Sequence, residues 1–235
     1  PLWVAPNKVL GANIGFLMLI PIIHKDVDAG ASLSLPPPFG VTISQNIGDQ
    51  ETRFGDLVPG FMLGWHYGNW HFKTHTLVNA PTGFWEQGNL ANAGFNRWGI
   101  DNAAAFTWLD PKIGLEVSSM AGITYNWENP TTQYKSGSEF HLEYAVVQNF
   151  SKQFAVGVNG FYYDQVTGDS GPGARLGSFA GRVSAIGPVV NMNFQLGQVP
   201  VLTNLKYFRE FDVENRLQGD SGYVTVTIPL GGPAN

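Results

Sequence analysis

The chain has 235 residues, a formal net charge of −5 and no cysteine. The acidic balance argues against a nucleic-acid partner, and the missing thiols exclude disulfide scaffolds, thiolate zinc sites and cysteine nucleophiles. Only 13% of the residues are charged, where a soluble domain has roughly 25%; hydrophobic residues make up 43%, aromatics 13%, and glycine occurs 29 times.

That composition fits one large β domain over residues 1–235. It does not fit a helical membrane protein. The most apolar run, residues 9–23 (VLGANIGFLMLIPII), would make a helix about 22 Å long against a hydrocarbon core of ~30 Å. Gly11, Gly15 and Pro21 interrupt it as well. No leader peptide opens the chain, which starts at Pro1-Leu2-Trp3-Val4 in what reads as the tail of a strand.

In order, residues 2–4 end a strand and Pro6-Asn7-Lys8 turns it. Residues 10–23 form the next strand, followed by a long Gly/Ser/Pro-rich loop over 26–55. Residues 57–65 return, Tyr67-Gly68-Asn69 turns, and 70–80 run out to a loop reaching Phe95. Residues 97–109 return, Asp110-Pro111-Lys112 turns, and 115–125 lead to a loop over 126–136. A long hairpin over residues 137–167 follows, turned at Ser151-Lys152-Gln153. Residues 176–194, a turn at 196–200, 201–213, a loop at 214–219 and 223–230 complete the chain.

The hairpin shows the pattern best. Phe140, Leu142, Tyr144 and Val146 alternate with Glu139, His141, Glu143 and Ala145, and period two places the two sets on opposite faces. Its arms exceed the five or six residues usual in soluble strands and match the ~9–11 of a tilted membrane-crossing strand. Short turns alternating with long loops are what an outer-membrane barrel shows. The expected fold is therefore all-β, a transmembrane antiparallel β-barrel. Eleven strands are counted, the first incomplete. Because bacterial barrels have even strand numbers, the intact protein is expected to have twelve, with the first strand and most of the second missing from this chain. Tryptophans and tyrosines near strand ends (Trp3, Trp65, Trp70, Trp98, Trp108, Tyr125, Trp127) would form the interfacial girdles.

The same parity sorts the charged residues. His71, Lys73, His75, Arg97, Asp101, Glu116, Glu139, His141, Glu143, Arg182, Lys206 and Glu210 fall on the inward face. A cation on the lipid face near the midplane would cost about 2–4 kcal/mol. Two readings of the set stand side by side: a structural network of ion pairs and hydrogen bonds, or polar groups lining a solute path. Residues 10–23 depart from the pattern, since Leu17, Leu19 and Ile23 also face inward and Pro21 interrupts the ladder. These four give an apolar side to the path.

Signs of catalysis are weak. Gly168-Asp169-Ser170-Gly171-Pro172 resembles a trypsin-like nucleophile segment but lacks one glycine, and reads better as a loop tip. His71 and His75 lie about 13 Å apart along a strand, too far to share a metal. His141 beside Glu139 or Glu143 would need a serine in reach to act in a lipid hydrolase. No catalytic residue, metal site or cofactor is assigned.

Several motifs occur together and in order: residues 6–16 (PNKVLGANIGF), Gly55-Asp56-Leu57, Gly64-Trp65-His66, Ala80-Pro81-Thr82-Gly83, residues 89–98 (NLANAGFNRW), 107–111 (TWLDP), 134–145 (YKSGSEFHLEYA), Ala185-Ile186-Gly187-Pro188 and Gly219-Asp220. On these the chain resembles, along nearly its whole length, the outer-membrane channel family named after the meta-cleavage pathway of phenol degradation. The resemblance implies a twelve-stranded barrel with an N-terminal segment folded into the lumen. It also implies uptake of hydrophobic or aromatic small molecules by Gram-negative bacteria. Members carry a signal peptide, the lumenal segment, a first strand and most of a second before the position of Leu2-Trp3-Val4, and this chain departs from the family in lacking them. The family supplies no catalytic residues.

The expectation is an outer-membrane channel for passive entry of small, hydrophobic or aromatic molecules, a monomer whose partners are outer-membrane lipid and those solutes. A non-conducting structural or adhesive barrel and an outer-membrane lipid-modifying enzyme are the alternatives. A soluble β-sandwich is weaker, because the long strands carry apolar residues outward.

Overall fold

The computed structural model describes residues 1–34, 40 and 42–231. Thirteen strands and no helix are found among them: β1 (Leu2–Val9), β2 (Ala12–Leu19), β3 (Ile22–Ser34), β4 (Thr42–Phe54), β5 (Val58–Tyr67), β6 (Trp70–Asn79), β7 (Gly99–Asp110), β8 (Leu115–Asn126), β9 (Glu139–Asn149), β10 (Phe154–Gln165), β11 (Arg182–Leu196), β12 (Val199–Glu214) and β13 (Asp220–Thr227). Eleven of them form one antiparallel meander in the order β1-β2-β5-β6-β7-β8-β9-β10-β11-β12-β13, while β3 and β4 pair only with each other. β1 and β13 are the two edges of the large sheet.

Turn chemistry accounts for the tight ends. Leu10 and Gly11 both have positive φ, as the central residues of a type I′ hairpin turn must. The first turn therefore lies there and not at Pro6-Asn7-Lys8. Pro6 falls inside β1, where the register with β2 shifts between Val4 and Lys8; a bulge accommodates a residue that cannot donate to the ladder.

Residues 10–23 are not one strand. β2 stops at Leu19, and the chain breaks at Ile20-Pro21, where the Pro21 carbonyl accepts a bond from Gly55 N at 3.0 Å. Ile23 belongs to β3. The expected loop over 26–55 is mostly a second hairpin, with thirteen residues in each arm and a continuous register from Ile22↔Phe54 to Ser34↔Thr42. Residues 35–39 and 41 of that expected loop lie outside the described residues. The hairpin escapes notice in the sequence because most of its residues are exposed, so neither face shows an apolar alternation. It is tied back through Asp49, which accepts from Ala91 N at 2.8 Å, and through Lys25 Nζ on the Asn92 carbonyl.

The two faces of the large sheet differ in burial. Ala103, Val147, Ala155, Asn159, Val183, Ala185, Val189 and Phe208 are all buried and all on the face that carries His75 and His141; we call it the inner face. Phe16, Phe72, Phe106, Ile123, Val146, Val158 and Ile186 stand exposed on the other. Aromatic contacts on this outer face cluster at the short-turn end, where Trp70 meets Phe72 and Phe106. Tyr125 and Trp127 meet edge to face at 5.0 Å near the loop end. The outer face thus carries an aromatic cluster towards each end with exposed apolar residues between them.

Candidate functional site

The polar centre of the inner face is Asp101 on β7. His141 Nε2 lies 2.9 Å from its Oδ1 and His75 Nε2 lies 3.4 Å from its Oδ2, while Thr124 Oγ1 donates to Oδ1 at 2.8 Å. Glu143 stands 4.0 Å from the other nitrogen of His141. His141 starts on β9 and must cross β8 to reach Asp101. It does so over Gly122, its cross-strand partner, where a Cβ would collide with the imidazole and with Ala103 Cβ. Gly122→Val is therefore expected to displace His141 and leave the half-buried Asp101 short of a donor. The cost is ~1–3 kcal/mol, read as a lower unfolding temperature in detergent; an unchanged temperature would show that the imidazole can take another path.

Towards the short turns the inner face carries His66 and His71, with their Nδ1 atoms 2.6 Å apart. Lys73 lies beside them on a cavity of ≈ 310 Å³ that also includes Val4, Met62 and Thr107. Thr107 and Ser118 share a hydrogen bond of 2.9 Å, and Ser118 donates to Glu116 at 3.1 Å. His71 and His75 thus have different partners, as their spacing on a strand predicts. His66 escapes the sequence list, although it sits opposite His71 across the two-residue turn and could have been found from that pairing.

At the loop end Arg97 precedes β7 instead of lying in it. Its guanidinium stacks over Phe95 at 4.8 Å and its Nε donates to Asn126 Oδ1 at 3.3 Å. Asn126 in turn donates to Glu139 at 2.9 Å. Burial lowers the pKa of Arg97, with neighbouring acidic groups opposing the shift. Asp56, 4% exposed, accepts from Asn79 Nδ2, Gly83 N and Phe95 N at 2.8–2.9 Å and so fastens the β6–β7 connection over this end of the sheet. Asn129 does the same for the next loop, donating to the Phe95 carbonyl and accepting from Asn96, Thr131 and Thr132.

The apolar residues divide between two places. Leu17 and Leu19 are on the inner face of β2, with Leu17 opposite Leu2 on one side and packed over Gly60 on the other. Pro21 and Ile23 instead close on Gly55 at the base of the β3–β4 hairpin. A second apolar group, absent from the sequence list, lies on the inner face of β10, β12 and β13: Phe161 meets Phe208 at 5.1 Å, and Phe208 meets Tyr223 at 5.8 Å. Lys206 pairs across to Val189 and Tyr223 near them. Glu210 is at the loop end, accepting from Gly219 N at 2.8 Å. The run FYYD over residues 161–164 hides Phe161, because aromatics there occupy both faces in succession.

Arg182 does not belong to the inner set. It pairs across to Asp164, on the outer face, and its guanidinium meets Glu214 at 3.1 Å and Asp212 at 3.7 Å. The inner place is taken by Val183, which is fully buried. The Gly168–Pro172 stretch is a loop tip whose Ser170 bonds Lys135 through the backbone alone. Among the described residues His141 has no serine hydroxyl bonded to it, and its Nε2 is occupied by Asp101.

The inner face thus combines a polar centre, apolar flanks and a roofed loop end. The family described as "Putative MetA-pathway of phenol degradation" matches residues 1–226. The chain belongs to this phenol-degradation family. Its fold is similar to that of the outer membrane channel from Pseudomonas putida F1 in its crystal structure, with a TM-score of 0.62 at 14% identity over 92% of this chain and 82% of that one. No curated protein matches the sequence.

Proposed function

We propose that this member of the phenol-degradation family is a channel of the bacterial outer membrane for passive entry of small hydrophobic or aromatic molecules. The observation that carries the reading is the lining of the inner face. Apolar groups around Leu17, Leu19 and Met62 and around Phe161 and Phe208 flank a polar strip made of Lys73, His75, Asp101, Glu116, Glu139, His141 and Glu143. An aromatic molecule with one polar substituent needs both kinds of surface. The working form is a monomer closed as a twelve-stranded barrel, since the free edges of β1 and β13 must find partners in hydrocarbon, where unpaired backbone groups are costly.

The test is entry of a radiolabelled aromatic solute into liposomes carrying the protein, with single-channel conductance measured in parallel. Leu17→Asp together with Leu19→Asp should slow entry about tenfold, because the carboxylates replace the apolar side of the path with hydrated charge. Unchanged entry would sink the apolar-path assignment. A folded protein that passes neither solute nor current would instead be a structural barrel.

A further inference from the structure

Phe95 and Arg97 are shared by two cavities at the loop end. The outer one, ≈ 480 Å³, lies among the loops, with Lys25, Trp85, Leu90 and Tyr134 also on its wall. Among the described residues no carboxylate lines it. The other, ≈ 200 Å³, is on the inner face and includes both Asp101 and Glu139. Arg97 is therefore the partition between a cationic, aromatic vestibule and an acidic strip.

The guanidinium is held but not neutralised. Phe95 supports one face of it and Asn126 takes its Nε. Among the described residues, neither terminal nitrogen donates to a protein acceptor, and no carboxylate comes within ion-pairing distance. Glu139, the acidic neighbour that acts on it most, is bound by Asn126 Nδ2 at 2.9 Å. A guanidinium stacked on a ring keeps its planar fork of donors free, and that fork matches a carboxylate in bidentate fashion. Tyr134 offers its ring and not its hydroxyl, which donates to Asp169; burial and that carboxylate push its pKa up to about 12. The cavity volume lies within the ~300–1,000 Å³ of small-molecule sites.

The geometry points to the outer cavity as a binding site for aromatic carboxylates, with the ring among Trp85, Phe95 and Tyr134 and the carboxylate on the free fork of Arg97. This rests on the channel reading above and adds to it the charge of the preferred solute. A neutral ring of the same shape would meet the same aromatic walls but lose the ion pair.

Benzoate and benzamide, which share shape and differ in charge, are the probes. Binding of each to the detergent-solubilised protein is measured by titration calorimetry, and entry of each into protein-bearing liposomes is measured separately. The wild-type protein should favour benzoate by about tenfold in affinity, the worth of one charge-assisted pair, and Arg97→Gln should bring the ratio close to one. Equal affinities in the wild type would overturn the assignment without recourse to a variant, as would an unchanged ratio in Arg97→Gln. Benzoate preference in binding combined with entry of neither probe would keep the carboxylate site and overturn the channel reading.

Discussion

Replacing Asp56 by alanine is expected to destabilise the protein by about 3 kcal/mol or more and to free the β6–β7 connection. The carboxylate is almost fully buried and serves three donors from two elements: the side-chain amide of Asn79 at the end of β6, and the backbone N–H groups of Gly83 and Phe95. Removing it orphans the Gly83 and Phe95 N–H groups, while the Asn79 amide keeps its second bond, to the Arg97 carbonyl at 3.0 Å; each buried donor so orphaned costs ~1–3 kcal/mol. The approach is close, since a Cβ on Gly83 would collide with the Gly55–Asp56 backbone and one on Gly94 with the Asp56 carboxylate and with Gly83. No larger group can refill the space without parting the loops. Limited proteolysis should show new cleavage between residues 80 and 98 in Asp56→Ala, together with a lower unfolding temperature. Asp56→Asn, which keeps one carbonyl acceptor, should fall between the two. A cleavage pattern identical to wild type would mean that water replaces the carboxylate and the roof is fastened elsewhere. Because Phe95 and Arg97 ride on this connection, the same variant should also weaken benzoate binding.

An arginine at Val158 should lower stability in a bilayer by about 2–4 kcal/mol, whereas an arginine at Phe161 on the opposite face should carry no such bilayer penalty. Val158 and its cross-strand partner Val146 are 50% and 48% exposed at mid-strand on the outer face. In a membrane their neighbours are acyl chains, and a guanidinium there has no counter-charge within reach. Arg182 and Arg209 occupy the same face, but at the loop end, where Glu214 and Asp220 pair with them. The contrast between an unpaired cation at mid-depth and a paired one at the rim is measurable as the urea midpoint of refolding into lipid vesicles. Equal midpoints for Val158→Arg and wild type would remove the outer face from the hydrocarbon.

Much of the wall was legible in the sequence. The alternation of the hairpin over residues 137–167 follows from period two, because neighbouring side chains on a strand must point to opposite faces, and four of the short turns follow from their turn residues; Arg97 precedes β7 and so lies outside any strand alternation. What parity does not say is how strands meet. Arg182 stands on the outer face and not on the inner one, because an alternation within one strand has no anchor until a neighbour fixes it; the register with Asp164 supplies that anchor. Phe161 and His66 were missed for the related reason that their importance lies in a partner on another strand.

The β3–β4 hairpin shows a different limit. Its arms are mostly exposed, with no buried face among the described residues, so hydrophobic patterning carries no signal even though the backbone pairs along thirteen residues. There the stabilising interactions are backbone hydrogen bonds, which every residue but proline can make and which side-chain identity therefore barely records.

By itself, then, the order of residues determined most strands of the large sheet from β5 onward and their alternation, since those depend on neighbours along the chain. Only the tertiary structure decided that Asp101 joins His75 to His141 across Gly122, that Asp56 ties Phe95 and Arg97 over the loop end, and that Arg97 stacks on Phe95 between two cavities. The contacts of Asp101 and Asp56 join residues 23 to 40 positions apart, and the register that brings them together is set by the pairing of whole strands, not by any local preference.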